Sequence, residues 1–268
     1  MGQAELYERF RALHEAPDAF VMPNAWDGGS ALLLKREGFQ SLGSTSFAIA
    51  IALGRSDGVH AISRKDAVAN AAMLTRLTGL PVNGDLEDGF GASPADCVLT
   101  VEAAIAGGLA GLGIEDTTAD PVRPIHDFDT AVARVRAAAK AASGRILLTG
   151  RTDNFLNGRP DLDDTIRRLV AFAEAGADVL YAPGLPDLDA IRAVARAVSP
   201  KPINVLIGPG VPLATLADAG AKRISLGGAL YLGAMQAVAD AAKALAAGDL
   251  VEGSRALPGR EIMALLKH

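Results

Sequence analysis

The stretch 81–91, PVNGDLEDGFG, sets three carboxylic acids, Asp85, Glu87 and Asp88, at the end of a short apolar run and just ahead of a turn carrying Gly89 and Gly91. Read as a buried strand over 80–85 that runs into a loop, it turns Asp85 and Glu87 to one side and Leu86 and Asp88 to the other, because strand side chains alternate. Two carboxylates side by side in a partly dry place raise one another's pKa unless a cation neutralises them. The pair therefore asks for a metal ion or a shared proton. The plainer reading of the same residues is a helix cap at Asp85 and a solvated Glu87 in an ordinary acidic loop.

The elements that would hold these acids repeat along the chain: a short apolar run, a polar or glycine-rich junction, then an alanine-rich helix. After an opening helix over 5–14, the runs and helices fall at 19–22 and 30–36, 41–44 and 63–77, 80–85 and 94–106, and 109–115 and 128–142. They continue at 145–149 and 162–175, 178–181 and 188–198, 202–206 and 212–219, and 222–226 and 229–247. Ser63 and Asp66 have the character of a cap and its N3 partner, and Pro94 suits the first turn of a helix. Strands alternating with helices pair in parallel and need crossovers on both faces. Eight such units in about 230 residues match an α/β fold of the (β/α)8 TIM-barrel type. A doubly wound open sheet is the alternative, but it favours a glycine fingerprint at the first junction, and PNAWDGG is not GxGxxG.

Nothing rich in Pro, Gly and Ser divides the chain, so residues 1–268 read as a single barrel domain. Residues 248–268 form a C-terminal helical tail, with a last helix over 260–267 whose apolar side packs on its own barrel or on a partner subunit. The formal net charge of −5, with no basic tract, offers no footprint to nucleic acid. A single cysteine, Cys97, leaves no intramolecular disulfide and fits a reducing compartment. The charged, amphipathic start is unlike a signal peptide, and no window approaches the roughly 20 apolar residues of a membrane span, so a soluble cytoplasmic protein is expected.

In a barrel of this type the junctions that follow strands share one face, and chemistry gathers there. Those junctions hold Asn24, Trp26 and Asp27; Ser44, Thr45, Ser46 and Asp57; Asp85, Glu87 and Asp88; Glu115 and Asp116; Arg151, Asp153 and Asn154; and Asn204. Asp57, Asp85, Glu87 and Glu115 would converge with no histidine or cysteine among them. An all-oxygen set selects a hard cation, Mg²⁺ or Mn²⁺, over zinc, and Mg²⁺ keeps several waters, so most of the acids would hold it through water. Gly111 and Gly113 below Glu115 leave room for something to enter the barrel.

Arg151 is the strong cation of this rim, able to fork onto a carboxylate or phosphate of a small dianionic or 2-oxo substrate, or to close a salt bridge with Asp153 or another acid. The GSTS segment offers hydroxyls and backbone amides to a carboxylate or enolate oxygen, or is a plain serine-rich turn. His126 reads as solvated, with Asp127 behind it as a helix cap, and Cys97 as core. His14, His60 and His268 have no acid or hydroxyl arranged around them in sequence, and no Ser-His-Asp triad is visible.

Taken together and in this order, GSTSFAIAIALGRSDG, PVNGDLEDGFG, GLGIEDT and GRTDNFL resemble the isocitrate lyase / phosphoenolpyruvate mutase superfamily, over about residues 23–235. The resemblance implies a modified (β/α)8 barrel, a homo-oligomer (tetramer, or dimer) with the last helix exchanged between subunits, and Mg²⁺ with a small 2-oxo acid or its enolate. By motif it makes Asp85 the direct metal ligand and gives Asp57, Glu87 and Glu115 the metal-bound waters. Arg151 becomes the arginine for the substrate carboxylate, and Ser46 with Phe47 the cradle of the 2-oxo acid; Ser44, Thr45 and Asn204 join the substrate-binding set.

Three departures stand out. Glu87 replaces an aspartate common in relatives, and Ser44 stands where several have a bulky aromatic. The loop TTADPVRPIHDFD also lacks the KKCGH or KRCGH sequence whose cysteine serves the lyases as acid or base, and Arg123 is the strong cation left in it. The expected function is Mg²⁺-dependent C–C cleavage beside a 2-oxo group, of lyase or decarboxylase type, with Arg151 and Asp57 as catalytic residues. The alternatives are P–C chemistry of the phosphoenolpyruvate mutase or phosphonopyruvate hydrolase kind, or a protein that binds an α-keto acid with little turnover.

Overall fold

The computed structural model describes residues 2–58, 60–206, 210–254 and 256–266. The expected helix end at Lys267, the terminal His268 and most of the junction 207–210 lie outside them. Helix α1 (Gln3–Glu15) comes first, followed by β1 (Phe20–Met22), α2 (Gly28–Arg36), β2 (Leu42–Gly43), α3 (Ser46–Ala52), α4 (Arg64–Thr78), β3 (Val82–Asp85), α5 (Pro94–Ala106), β4 (Gly111–Glu115) and α6 (Phe128–Ala142). Then come β5 (Leu147–Arg151), α7 (Leu162–Glu174), β6 (Val179–Tyr181), α8 (Leu188–Val198), β7 (Ile203–Leu206), α9 (Leu213–Asp218), β8 (Ala221–Ser225), α10 (Ala229–Ala246) and α11 (Gly259–Leu265).

The strands form one sheet in the order β1-β8-β7-β6-β5-β4-β3-β2, every pair parallel. A bridge from Asn24 to Gly43 brings β1 back to β2, with the Ala25 amide donating to the Gly43 carbonyl at 2.8 Å. The expected TIM-type barrel is therefore the fold. Its helices start where a side chain can accept the orphan amides of the first turn: Asp27, Ser63, Ser93, Asp127, Asp161 and Asp187 each accept an amide three residues on. Ser63 with Asp66, and Ser93 with Asp96, close reciprocal capping boxes.

Alanines such as Ala71, Ala104 and Ala138 let the helices lie close on the sheet, where Leu112, Ile114, Leu148 and Leu180 are fully buried. Beneath the barrel, α1 inserts Leu6 and Phe10 against Met22, Ala110 and Leu147 and closes the end opposite the strand-to-helix junctions. This answers the expectation for the two strand glycines. The space at Gly111 is taken by Phe10, whose Cε1 would sit 2.7 Å from an added Cβ; at Gly113 an added Cβ meets nothing within 4 Å among the described residues.

Two local expectations are corrected. The 44–57 junction is not all loop: Thr45 caps α3, accepting the Ala48 amide at 3.4 Å. Strand β5 runs to Arg151 rather than ending at 149, because Glu115 and Arg151 are paired in register across β4 and β5. At the C-terminal end, α11 lies by α2, with Arg36 Nη1 3.9 Å from Glu261. Leu232, Val238, Leu250, Val251 and Met263 stay exposed on α10 and the tail. Among the described residues no helix is long and apolar enough to cross a membrane.

Candidate active site

The ends of β2 to β7 and the Gly227–Gly228 turn after β8 surround a pocket of about 490 Å³ on the junction face. Asp57, Asp85, Glu87, Glu115, Arg151, Thr45, Ser46 and Phe47 all line it, drawn from five separate stretches of chain. Ser44 and Asn204, expected to bind substrate, do not reach it. They line a smaller cavity of about 60 Å³ inside the barrel below, since both side chains are engaged there: the Ser44 hydroxyl accepts the Asp85 amide at 2.8 Å, and Asn204 bonds Ser225 and Arg223.

Simple strand alternation does not set the acids. The chain leaves extended geometry after Asp85, and Glu87 adopts a left-handed φ of 48°. His60 and Phe90 do the same at 53° and 59°, and among the described residues these are the non-glycine positions with positive φ. All three lie at or beside the pocket, where strained backbone tends to be kept for function. Asp88 also lines it and is not turned away. It accepts a 2.6 Å bond from His60 Nε2, so the histidine that looked isolated in sequence has a buried acid as its partner.

Arg151 is held by acids on every side. Its Nε and Nη2 fork onto Asp153 at 2.6 and 2.7 Å, Nη1 meets Glu115 at 2.7 Å, and Asp85 lies 3.7 Å away. The salt-bridge alternative is thus the arrangement present, and it keeps the guanidinium firmly charged. Asp85 in turn accepts the Ser46 amide at 2.8 Å and its hydroxyl at 3.0 Å, so the α3 end of the pocket already meets a carboxylate.

One guanidinium does not balance these acids. Burial, then Asp85, Asp57 and Asp88, push Glu87 up to about 8, and its Oε1 is buried without a hydrogen-bond partner among the described residues. Burial and then Asp85 raise Asp57, while burial raises Glu115 well above the ordinary range against the pull of Arg151. This surplus of acids, which would shed protons to a cation, fits a divalent ion, and the oxygen-only donor set fits Mg²⁺ or Mn²⁺. Among the described residues no three acid, histidine or cysteine side chains converge closely enough to ligate one ion directly. The fit is accordingly with an ion held by one carboxylate and otherwise through water.

The altered loop contributes Thr117, Thr118 and Pro124 to the pocket wall. Arg123 is turned out to solvent, its side chain 85% exposed and its Nε 3.3 Å from Asp120, because the Thr118 hydroxyl ties the turn to the Arg123 carbonyl at 2.6 Å. His126 was expected to be solvated; instead it is half-buried behind the loop, its Nε2 lacking a partner among the described residues and its pKa lowered by burial. Cys97 is core as expected, its thiol raised to about 11 by burial. Sequence reading passed over Tyr181, which ends β6 inside the pocket with Arg151 5.2 Å above its ring. Its signal was available: the last residue of a barrel strand, polar after an apolar pair.

The family model described as phosphoenolpyruvate phosphomutase matches residues 10–246. A protein of Mycobacterium tuberculosis (strain H37Rv), itself uncharacterized, is 34% identical over 96% of this chain and 95% of its own length. The oxaloacetate decarboxylase of Paraburkholderia xenovorans (strain LB400) is 29% identical over 100% of this chain and 90% of its own. A crystal structure from Burkholderia cenocepacia J2315, described provisionally as a lyase/mutase, is 44% identical with a TM-score of 0.93, covering 98% of this chain and 95% of that one.

Proposed function

The chain belongs to the phosphoenolpyruvate phosphomutase family, within the isocitrate lyase / PEP mutase superfamily of enzymes, and from that premise we propose that it cleaves a C–C bond beside the carbonyl of a small 2-oxo acid, through an enolate and with a divalent cation. The observation that carries this reading is the charge imbalance of the pocket: Asp57, Asp85, Glu87 and Glu115 face one cavity with Arg151 as the guanidinium among them. Asp85 would hold Mg²⁺ or Mn²⁺ directly, and Asp57, Glu87 and Glu115 would hold its waters. When bound, the ion supplies Lewis-acid polarisation of the 2-oxo group and a counter-charge for the enolate.

The remaining work falls to the chain's own groups. Arg151 would fork onto the substrate carboxylate while Asp153 keeps it oriented. The Ser46 amide and hydroxyl, and the ring of Phe47, bound the side where the acid would lie. Phe47 itself is seated against Gly228, where an added Cβ would come within 2.9 Å of its Cε1. Decarboxylation of an oxaloacetate-like acid asks least of a loop that presents only Thr117, Thr118 and Pro124.

The same loop favours a second reading, an α-keto acid binding protein with little turnover, because no side chain of acid or base type from residues 117–124 lines the pocket. One assay separates the two. Release of pyruvate or another 2-oxo acid from a substrate panel, dependent on Mg²⁺ and lost in Asp85→Ala, supports the enzyme. Binding by calorimetry with no product by mass spectrometry supports the binder, and turnover undiminished in Asp85→Ala overturns the metal role.

We read residues 1–268 as one barrel domain whose tail, 248–268, serves assembly of a homo-oligomer. The apolar side chains left exposed along α10 and the tail support a second copy as their cover. Deleting 248–268 should lower the mass seen by light scattering, and an unchanged mass would count against that reading.

A further inference from the structure

Beneath the pocket lies a cation that no acid balances. Arg223 is 1% exposed inside the barrel, and among the described residues no carboxylate pairs with it. Burial brings its pKa down to about 10, so it remains charged at neutral pH. Its Nη2 reaches across the barrel to Thr149 Oγ1 at 2.9 Å. Nη1 lies 3.4 Å from His14 Nε2, whose ring is neutral, its pKa brought down to about 3 by burial and Arg223. A buried charge held only by neutral groups is expensive to keep, and an arginine can only donate hydrogen bonds.

That donor-only character sets a direction. Arg223 Nε donates to Asn204 Oδ1 at 2.8 Å, which fixes the amide so that Nδ2 faces Ser225 and donates to its Oγ at 2.8 Å. With its oxygen already accepting, Ser225 has its hydroxyl hydrogen left to give, and Tyr181, in register with Asn204, lines the same small cavity. A hydrogen given by Ser225 to the tyrosine oxygen would leave the tyrosine's own hydrogen free to point elsewhere. Strand register makes Glu115, Arg151, Tyr181, Asn204 and Arg223 successive neighbours around the inward face, so the tyrosine stands between the chain's end and the acid-binding arginine. It lines both the pocket and the small cavity below.

We propose that Tyr181 donates its phenolic hydrogen to an anionic oxygen of the bound acid, and that Arg223, acting through Asn204 and Ser225, fixes that direction. Tyr181 is the group that touches the ligand; Arg223, Asn204 and Ser225 are positioning residues. Burial raises the tyrosine to about 12, which keeps the hydrogen in place across the physiological range. Hydrogen bonds aligned head to tail polarise one another, so the buried charge strengthens the last donor without entering the pocket. The proposal deepens the 2-oxo acid reading and rests on it.

The test is calorimetric titration of oxalate, a planar dianion resembling a pyruvate enolate, into the full chain with and without Mg²⁺. Tyr181→Phe should weaken binding about 10- to 100-fold, the worth of a hydrogen bond to a charged group. Asn204→Asp is the sharper variant, because it keeps a partner for Arg223 but turns a donor into an acceptor. Ser225 then donates back toward position 204, Tyr181 donates to Ser225, and its hydrogen leaves the pocket. Its loss should equal that of Tyr181→Phe, and the double variant should bind no more weakly than either single one. Ser225→Ala, which leaves the tyrosine hydrogen free, should stay within about threefold of the parent, the scale of a weak neutral hydrogen bond. Additive losses, or Tyr181→Phe binding as the parent does, overturn the proposal while leaving the 2-oxo acid reading intact. A parent chain that binds neither oxalate nor pyruvate overturns that reading and this proposal with it.

Discussion

Glu115 and Asp116 are neighbours in the chain, yet they enter two clusters of acid and guanidinium built on different terms. Asp116 turns away from the pocket to a closed network. It accepts Arg168 Nη1 at 3.2 Å and the Asp153 amide at 3.0 Å, while Arg168 Nε bonds Asp164 at 2.8 Å and Asn154 Nδ2 donates to Asp164 at 3.0 Å, its own Oδ1 left without a partner among the described residues. Hydrogen bonds from Arg167, Arg168 and Asn154 hold Asp164 well below the ordinary range against the push of burial. Glu115 turns inward to a cluster in which five acids, with Asp153 counted, share Arg151, and one of them keeps a buried oxygen without a partner. The same residue types appear in both. A cluster whose acids meet their guanidiniums holds parts of the fold together, whereas a surplus of acids held in place by the backbone is a site prepared for something that carries the opposite charge.

The contrast is open to mutation, and the largest effect should fall on the balanced cluster. Arg168→Met strands Asp116 in the interior and should lower stability by about 3–5 kcal/mol in chemical denaturation, with Mg²⁺ affinity per folded molecule unchanged. If Mg²⁺ affinity falls with it, the clusters are not separate. In the surplus cluster the pattern reverses: Asp85→Ala should cost about a hundredfold or more in 2-oxo acid turnover while the melting temperature barely moves.

A smaller effect follows from Glu87. Its carboxyl is raised to about 8 in the folded chain against an ordinary value of 4.5, so the folded state holds more protons than the unfolded one between those values. Stability of the metal-free protein should therefore fall as pH rises from about 4.5 to 8, by at most about 1.4 kcal/mol per unit from this group. Glu87→Gln should flatten that slope, as should added Mg²⁺; a slope unchanged by both would remove the surplus as its cause. The smallest effect belongs to the loop. Arg123→Ala should leave turnover within about twofold, since an exposed pair with Asp120 contributes little.

Much of this architecture was readable before any coordinates. Helices 94–106, 128–142 and 188–198 have the bounds that their caps and breakers imply, and the resemblance carried by GSTS, GDLEDG, GIED and GRTDN was to the family in which the chain belongs. What escaped the reading escaped for physical reasons. FAIAIA is too short to show a helical period, so α3 was hidden in a junction. The turn at Glu87 depends on a left-handed φ that a non-glycine residue does not advertise. The bond from His60 to Asp88 joins positions 28 apart with no motif between them. The interior chain left a trace, for Arg223 and Ser225 sit two apart on a buried strand and so share one face, but their partners come from other strands and only register brings them together.

The central claim is that the inward cluster is charged to hold a divalent cation. Titrating Mg²⁺ into the metal-free chain at pH 7 in two buffers of different ionisation enthalpy counts the protons released on binding. The account predicts binding with net proton release from the parent chain, release that shrinks in Glu87→Gln, and no binding in Asp85→Ala. Binding without proton release, or a titration unaffected by Asp85→Ala, would contradict it.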